Sequence, residues 1–184
     1  MKKYKIAVLI GSLRKESFTL KIGKAMESVA PTSIVFDFIQ IGDLPFYNDD
    51  LEPQPPKEWV AFRKEIQAVD GLLFLTPEYN RSVPAVLKNA IDVGSRPYGK
   101  NVFDAKPGAV VSVSPGNLGA FGANHHLRQS LVCLNIPTMA QPEAYIAGVA
   151  DMFDDEGNLT NESTKKFLKS FMESFGKWVA IHAK

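Results

Sequence analysis

Short apolar runs alternate with segments of helical period along most of the chain. Four continuous runs rich in β-branched residues are typical of strands buried on both faces, and they lie at Ile6–Ile10, Ile34–Ile41, Gly71–Thr76 and Ala109–Ser114. Apolar residues between them recur at three- and four-residue steps, which predicts helices: Leu20, Ile22, Ala25, Met26 and Val29; Trp59, Phe62, Ile66 and Val69; Val83, Val86, Leu87, Ala90 and Ile91. Two more helices are predicted at 121–134 and about 162–182, and a fifth short strand near Pro137–Ile146.

This order of elements predicts an α/β fold. Strands that alternate with helices form a parallel sheet covered on both faces, because right-handed crossovers carry the helices across it. We expect a three-layer, doubly wound, five-stranded parallel sheet whose helices lie alternately above and below, formed as a single domain by residues 1–184. The Pro-rich stretch Pro45–Pro56 is too short to separate domains and predicts a surface loop before a helix.

Composition and charge narrow the class of protein. With 45% hydrophobic and 22% charged residues among 184, the chain is typical of soluble globular proteins. A net charge of +1 argues against nucleic acid or another polyanion as a partner. The apolar run Ile6–Ile10 is too short for a signal peptide, and no stretch approaches the roughly 18–20 residues of a membrane span, so we expect a cytoplasmic protein. The single cysteine, Cys133, stands among apolar residues and is expected to be buried.

Three loops are expected to carry the function. In doubly wound sheets, ligands bind outside the carboxyl ends of the strands, where the strand order reverses. The loops that follow the first, third and fourth predicted strands are Gly11–Thr19, Pro77–Val83 and Ser114–Gly122. These loops are therefore expected to hold the ligand contacts.

The first loop has the composition of a phosphate site. It offers the hydroxyls of Ser12, Ser17 and Thr19 and the guanidinium of Arg14, and it leads into a helix whose N-terminus favours an anion. It has neither the Walker lysine nor the three glycines of a dinucleotide fingerprint, which favours a monophosphate. The alternative is that Ser17 only caps the helix.

The second and third loops suit a flat heterocycle. Pro77, Glu78, Tyr79 and Asn80 combine a rigid turn, a carboxylate, a stacking surface and an amide. The alternative is an ordinary loop fixed by its prolines, with Asn80 or Ser82 capping the next helix. The glycine-rich third loop lets backbone approach a ring edge closely.

Together these motifs resemble one known family. The residues that carry the resemblance are Gly11-Ser12-Leu13-Arg14 with Ser17, Thr76-Pro77-Glu78-Tyr79-Asn80, Ser82-Val83-Pro84 and Leu87-Lys88-Asn89-Ala90-Ile91-Asp92. They are similar to those of NADPH-dependent FMN reductases, a family that includes bacterial chromate and quinone reductases. The resemblance implies a flavodoxin-like sheet of strand order 2-1-3-4-5, bound FMN, and NADPH or NADH as co-substrate. It implies a ping-pong reaction in which NAD(P)H transfers a hydride to flavin N5 and the flavin then passes electrons to an acceptor. The implied acceptors are quinones, flavins, azo or nitro compounds and chromate-like oxyanions. No acid–base catalytic side chain and no metal are implied.

The resemblance also implies roles for individual residues. The FMN phosphate would be held by Ser12, Arg14, Ser17, Phe18 and Thr19. The ribityl chain and ring would pack on Pro77, Glu78, Tyr79 and Asn80, and the pyrimidine edge would meet Ser114 and Gly119. Two positions depart from the family: Thr19 replaces an Asn and is still expected to cap the helix, and Ala120 replaces a second glycine.

The resemblance also bears on assembly, and two other functions are compatible with the same fold. Related enzymes are dimers or tetramers, so we expect a homodimer or homotetramer with polar contacts around His125, Arg128 and Glu143. A metal site at His125-His126 is not expected, because adjacent helical residues diverge by about 100°. One alternative is a flavodoxin-type electron carrier without its own NAD(P)H turnover, although carriers usually need an acidic face. A second is a non-enzymatic scaffold, which needs neither Arg14 nor the Pro77–Asn80 set.

Overall fold

The computed structural model describes residues 2–183 and contains five β-strands and five α-helices in strict alternation. The strands are β1 (Tyr4–Ile10), β2 (Ile34–Ile39), β3 (Gly71–Thr76), β4 (Gly108–Val113) and β5 (Ala144–Ile146). The helices are α1 (Phe18–Val29), α2 (Lys57–Gln67), α3 (Ala85–Gly94), α4 (Phe121–Cys133) and α5 (Glu162–His182). Short 3-10 turns lie at Asp49–Leu51 and Val149–Met152. The predicted order of elements is confirmed.

All five strands are parallel and follow the order β2-β1-β3-β4-β5. In the centre of the sheet, Val8 of β1 pairs with Phe38 of β2 on one side and with Leu73 of β3 on the other. The strand order therefore reverses at β1. The doubly wound α/β class and the 2-1-3-4-5 order are both confirmed.

Alternate residues of each strand enter two separate hydrophobic cores. Ala7 and Leu9 face α2, α3 and α4, whereas Ile6 and Val8 face α1 and α5. This division explains why the strand sequences are continuously apolar rather than alternating.

The expectation that the helices alternate between the faces is wrong. Helices α2, α3 and α4 share one face, and α1 and α5 share the other. A right-handed crossover places its helix according to the direction in which the chain moves across the sheet. The chain moves one way from β1 to β2 and the other way through β3, β4 and β5, so only α1 and the terminal α5 cover the opposite face.

Cys133 is exposed, which contradicts its expected burial. Helix α4 buries Ala123, Leu127 and Leu131, which recur at four-residue steps. Cys133 follows Leu131 by only two positions, about 200° around the helix, and so it points to solvent. Its apolar neighbours in sequence do not place it on the buried face.

Helix α5 is amphipathic along its 21 residues. Phe171, Phe175 and Val179 are buried against the sheet, while Phe167 is only partly buried at the edge of this core. No helix within residues 2–183 is both long enough and apolar enough to cross a membrane.

Candidate functional site

The three predicted site loops meet at the carboxyl edge of the sheet. The N–H of Gly11, just after β1, donates to the carbonyl of Leu75 at 2.8 Å. A Cβ on Gly11 would lie 3.1 Å from Cδ of Pro77, so the first and second loops touch. The Glu78 carboxylate accepts from the N–H of Ala123 at 3.0 Å, which joins the second loop to the start of α4. The loops therefore form one continuous surface.

The first loop ends in a capped helix with unused donors. Ser17 is the N-cap of α1, where its buried side-chain oxygen accepts from the N–H of Leu20 at 3.2 Å. The expectation that Thr19 caps the helix is wrong, because Thr19 is already the second helical residue. Within the described part of the chain, the N–H groups of Phe18 and Thr19 have no hydrogen-bond acceptor. Such groups at a helix N-terminus favour an anion.

Arg14 adds a positive charge beside these donors. Its side chain is exposed, its Cζ lies 5.9 Å from the centroid of the Phe18 ring, and it forms no ion pair with any carboxylate of residues 2–183. The hydroxyl of Ser12 accepts from the N–H of Arg14 at 3.4 Å. Hydroxyls, a guanidinium and helix N–H groups are the donor set that a phosphate monoester such as that of FMN requires.

The second loop is a tight turn held in an unusual backbone conformation. Tyr79 and Ser82 exchange two backbone hydrogen bonds of 3.0 and 2.9 Å, and between them Asn80 and Arg81 have φ values of 49° and 65°. Two successive left-handed residues form a type I′ turn. The alternative that Asn80 or Ser82 caps α3 is wrong, because Pro84 occupies the N-cap without a side-chain hydrogen bond.

Glu78 connects this turn to α4. One carboxylate oxygen accepts from the N–H of Ala123, and the other accepts from Arg81 at 3.0 Å. A Cβ on Gly122 would lie 2.9 Å from the Glu78 carboxylate and 2.8 Å from the carbonyl of Arg81, so this position must lack a side chain. No local sequence pattern signals this contact, because its partners are 45 residues apart.

The third loop is fixed against β5. Gly119 has a φ of 55°, and a Cβ there would lie 2.9 Å from the carbonyl carbon of Tyr145. This glycine therefore has a packing role of its own. Ala120 is also left-handed, with a φ of 60°, which is the conformation that the missing second glycine would adopt without strain. Ser114 accepts from the N–H of Gly116 at 3.0 Å and so closes the start of the loop.

Exposed apolar side chains surround this edge of the sheet. The loops that follow β1, β2, β3 and β4 each carry one that is more than half exposed: Leu13, Phe46, Tyr79 and Leu118, at 64%, 77%, 56% and 60%. We call these four residues the apolar rim. Because the strands are parallel, all four loops lie at one edge of the sheet, and apolar side chains exposed there suit a ligand. Of these four, only Tyr79 was predicted as a site residue. Leu13 and Leu118 lie within loops that were predicted to be functional, whereas Phe46 lies in a loop that was predicted to be an ordinary surface loop.

The adjacent histidines have separate partners. His125 lies 3.0 Å from the Tyr145 hydroxyl through Nε2, and its ring centroid is 4.2 Å from that of Phe121. His126 lies 3.1 Å from the Ser82 hydroxyl through Nδ1. Burial raises the pKa of Tyr145, and the neighbouring Glu143 carboxylate raises it further.

Comparison with known proteins decides the family. The sequence model of the NADPH-dependent FMN reductases matches residues 4–151. The chain belongs to the NADPH-dependent FMN reductase family. A quinone reductase of Pseudomonas putida is 55% identical over 180 residues, which are 97% of this chain and 96% of the relative. A 2-hydroxy-1,4-benzoquinone reductase of a Burkholderia species is 46% identical over 175 residues, 95% of this chain and 96% of the relative.

A solved structure of the same kind agrees in fold. FerB, a flavoenzyme NAD(P)H:(acceptor) oxidoreductase of Paracoccus denitrificans, superposes with a TM-score of 0.93 at 41% identity, covering 98% of this chain and 100% of FerB. Membership of the FMN reductase family confirms FMN as the cofactor and NAD(P)H as the reductant, and it favours an oxidoreductase over an electron carrier.

We predict that Glu78→Ala destabilises this FMN reductase fold by about 1.5–3 kcal/mol, because α4 loses the charged acceptor at its N-terminus. Arg81→Ala is the matched control, since it removes the partner of the same carboxylate and keeps the backbone turn. The Arg81 side chain is 72% exposed, so its ion pair contributes less than about 1 kcal/mol. Urea unfolding of both variants measures the two free energies, and equal losses would contradict the capping role of Glu78.

Proposed function

We propose that this protein is a cytoplasmic NAD(P)H-dependent quinone reductase that binds FMN at the carboxyl edge of its sheet. The observation that carries the proposal is the convergence of two different surfaces. The unused N–H groups of Phe18 and Thr19 and the side chain of Arg14 lie on the loop after β1, and the loops that carry the apolar rim leave the sheet at the same edge. Gly42 comes within contact distance of Leu13, and Gly11 of Pro77, so these loops touch. A ligand with a phosphate at one end and a flat ring at the other matches both surfaces.

Each of the candidate residues then has a part in holding the cofactor. The phosphate binds at the donor end, through Ser12, Arg14, Ser17, Phe18 and Thr19. The ribityl chain and ring pack on the second loop, through Pro77, Glu78, Tyr79 and Asn80, and the pyrimidine edge meets Ser114 and Gly119. Glu78 also fixes the turn, because its two carboxylate oxygens accept hydrogen bonds from Arg81 and from the N–H of Ala123.

The chemistry belongs to the cofactor, and the chain supplies binding and orientation. FMN, when bound, provides a redox centre that takes a hydride from NAD(P)H and passes two electrons to an acceptor. The open apolar rim leaves room for both substrates to reach the same face in turn. No side chain is assigned as a general acid or base.

Quinones are proposed as the acceptors because relatives of this chain are named for them. The Pseudomonas putida and Burkholderia proteins carry the names quinone reductase and 2-hydroxy-1,4-benzoquinone reductase. A quinone is a flat, apolar ring, which suits the apolar rim. Free flavin, azo and nitro compounds and chromate-like oxyanions are the further acceptors to be screened.

The proposal is tested by the absorption spectrum of the purified protein with FMN, followed by anaerobic titration with NADPH and then with a quinone. We expect the flavin bands to bleach with NADPH and to return with the quinone. Binding of FMN without bleaching would instead indicate an electron carrier. Absence of flavin binding would contradict the cofactor site.

We predict that Arg14→Ala weakens FMN binding by roughly tenfold to a hundredfold, because a charge-assisted contact to the phosphate is lost. Lys15→Ala is the matched control, since it removes an exposed positive charge from the adjacent position. Titration of flavin fluorescence measures both affinities. An affinity unchanged by Arg14→Ala, or lowered equally by Lys15→Ala, would contradict a specific phosphate contact.

We infer that the chain assembles as a homodimer or homotetramer through the surface that carries His125, Arg128 and Glu143. Arg128 donates to Asn124 Oδ1 at 2.9 Å and to the carbonyl of Met139 at 3.0 Å. Its remaining terminal nitrogen is the one buried side-chain polar atom without a partner within residues 2–183. A carboxylate from a second copy, with Glu143 as the exposed candidate, would satisfy it.

We predict that Arg128→Ala lowers the molar mass measured by light scattering, because the contact between copies is lost. Arg128 also holds Asn124 within its own chain, so a second variant separates assembly from folding. Glu143→Gln alters an exposed side chain and leaves the internal contacts of Arg128 in place. A molar mass that neither substitution changes would overturn this interface.

A further inference from the structure

The loop between β2 and α2 lies beside the proposed flavin site. Because β2 is parallel to β1, this loop leaves the sheet at the same edge as the first site loop. A Cβ on Gly42 would lie 2.9 Å from Cδ2 of Leu13, so the two loops touch. The segment Leu44–Tyr47, which we call its tip, begins two residues after this contact with the proposed phosphate loop.

Asn89 fixes the backbone of this tip. Its side-chain NH2 donates to the carbonyls of Leu44 and Pro45 at 3.1 and 3.2 Å, and its Oδ1 accepts from the N–H of Tyr47 at 2.8 Å. The indole N–H of Trp59 donates to the same Pro45 carbonyl at 2.9 Å. Asn89 is 7% exposed, so these bonds are shielded from water and hold the loop from within the fold.

Phe46 is held between these fixed residues and yet contacts solvent. Its side chain is 77% exposed, while Pro45 before it and Tyr47 after it are both bonded to Asn89. The ring of Tyr47 stacks on the ring of Trp59, with the two centroids 5.3 Å apart. This contact also fixes the Leu44–Tyr47 segment. A single exposed apolar residue is ordinary on a protein surface. A rigidly presented aromatic ring at the rim of a cofactor site is suited to contact a ligand.

The charge of this loop selects the kind of ligand. Residues 41–56 contain four carboxylates, Asp43, Asp49, Asp50 and Glu52, and no Lys or Arg. Glu52 pairs with Arg63, and Asp49 accepts from the Tyr47 hydroxyl. Among residues 2–183, the carboxylates of Asp43 and Asp50 have no such contact. This excess of carboxylates in the loop that carries Phe46 disfavours the phosphates of NADPH and anionic acceptors. An uncharged aromatic ring fits the position.

We propose that Phe46 is an acceptor-binding residue, against which an uncharged quinone packs, and that Asn89 is the positioning residue that holds Phe46 at the rim. The proposal rests on the proposed reductase function and adds a contact specific to the acceptor. Aromatic rings in offset or edge contact stabilise one another beyond the area that they bury. Asn89 touches neither substrate nor cofactor in this scheme and acts only through the loop.

Steady-state kinetics of the FMN-loaded enzyme tests the contact. We expect Phe46→Ala to raise the KM for neutral 1,4-naphthoquinone by roughly threefold to tenfold and to leave the KM for NADPH unchanged. Ferricyanide is a non-aromatic anion, and Phe46→Ala is expected to leave its KM unchanged. Phe46→Tyr keeps the ring and is expected to retain the wild-type KM for the quinone. Ile181→Ala is the matched control, because Ile181 is 75% exposed on α5, away from the loops of the site.

A double-mutant cycle tests the role of Asn89. Asn89→Asp keeps the shape and the acceptor for Tyr47 but removes both donors to the loop carbonyls. We expect it to raise the KM for the quinone in the wild-type background and to have no further effect in the Phe46→Ala background. A general structural defect would instead raise the KM equally in both backgrounds.

The outcomes separate this proposal from the proposed function. If the wild type binds FMN and reduces quinone but Phe46→Ala matches it in every KM, the function stands and the acceptor contact is overturned. A rise in the KM for NADPH and ferricyanide as large as that for the quinone would also overturn it. So would a fall in molar mass together with a loss of all activities, which would identify Phe46 as a subunit contact. A wild type that neither binds FMN nor oxidises NADPH would overturn both proposals.

Discussion

The site depends on how closely the chain packs where β1 and β3 end. A side chain on Gly11 would come within 3.1 Å of Pro77 and 3.2 Å of Leu87. Strand order reverses at this point, so the loop after β1 leads to a helix on one face and the loop after β3 leads to a helix on the other. The N-terminus of α1 and the Tyr79–Ser82 turn are thereby brought to opposite sides of one surface. A glycine at the junction lets a group of donors and a stacking surface lie next to each other.

Backbone strain is concentrated in the same loops. Five non-glycine residues of the described chain have positive φ, and three of them, Asn80, Arg81 and Ala120, belong to the second and third site loops. Each such residue costs on the order of 1 kcal/mol or more and persists only where its surroundings fix it. Here the fixing contacts are the two Tyr79–Ser82 hydrogen bonds and the Glu78 carboxylate on Ala123. The two large cores supply the stability that offsets this strain.

The sequence predicted the elements better than their contacts. The bounds of Gly71–Thr76 and Glu162–His182 agree with the structure, because an unbroken apolar run and a regular stripe mark them. The side of the sheet that each helix covers depends on strand order, which periodicity does not encode. The Glu78–Ala123 and Asn89–Tyr47 bonds join residues 45 and 42 apart, and no local pattern signals them. For the same reason Phe46 looked like part of an ordinary proline-rich loop.

The two ends of the site differ in how strongly they can discriminate between ligands. Charged and hydrogen-bonding groups reject a ligand that leaves them unpaired, whereas apolar surfaces distinguish related ligands only weakly. At the α1 end, Arg14 and the N–H groups of Phe18 and Thr19 favour an anion, which we propose is the FMN phosphate. The apolar rim offers only shape and area. With FMN bound as proposed, such a site is expected to be strict about its cofactor and tolerant of its acceptor. Differences in acceptor preference among related chains are then expected to lie in rim residues rather than in the phosphate loop.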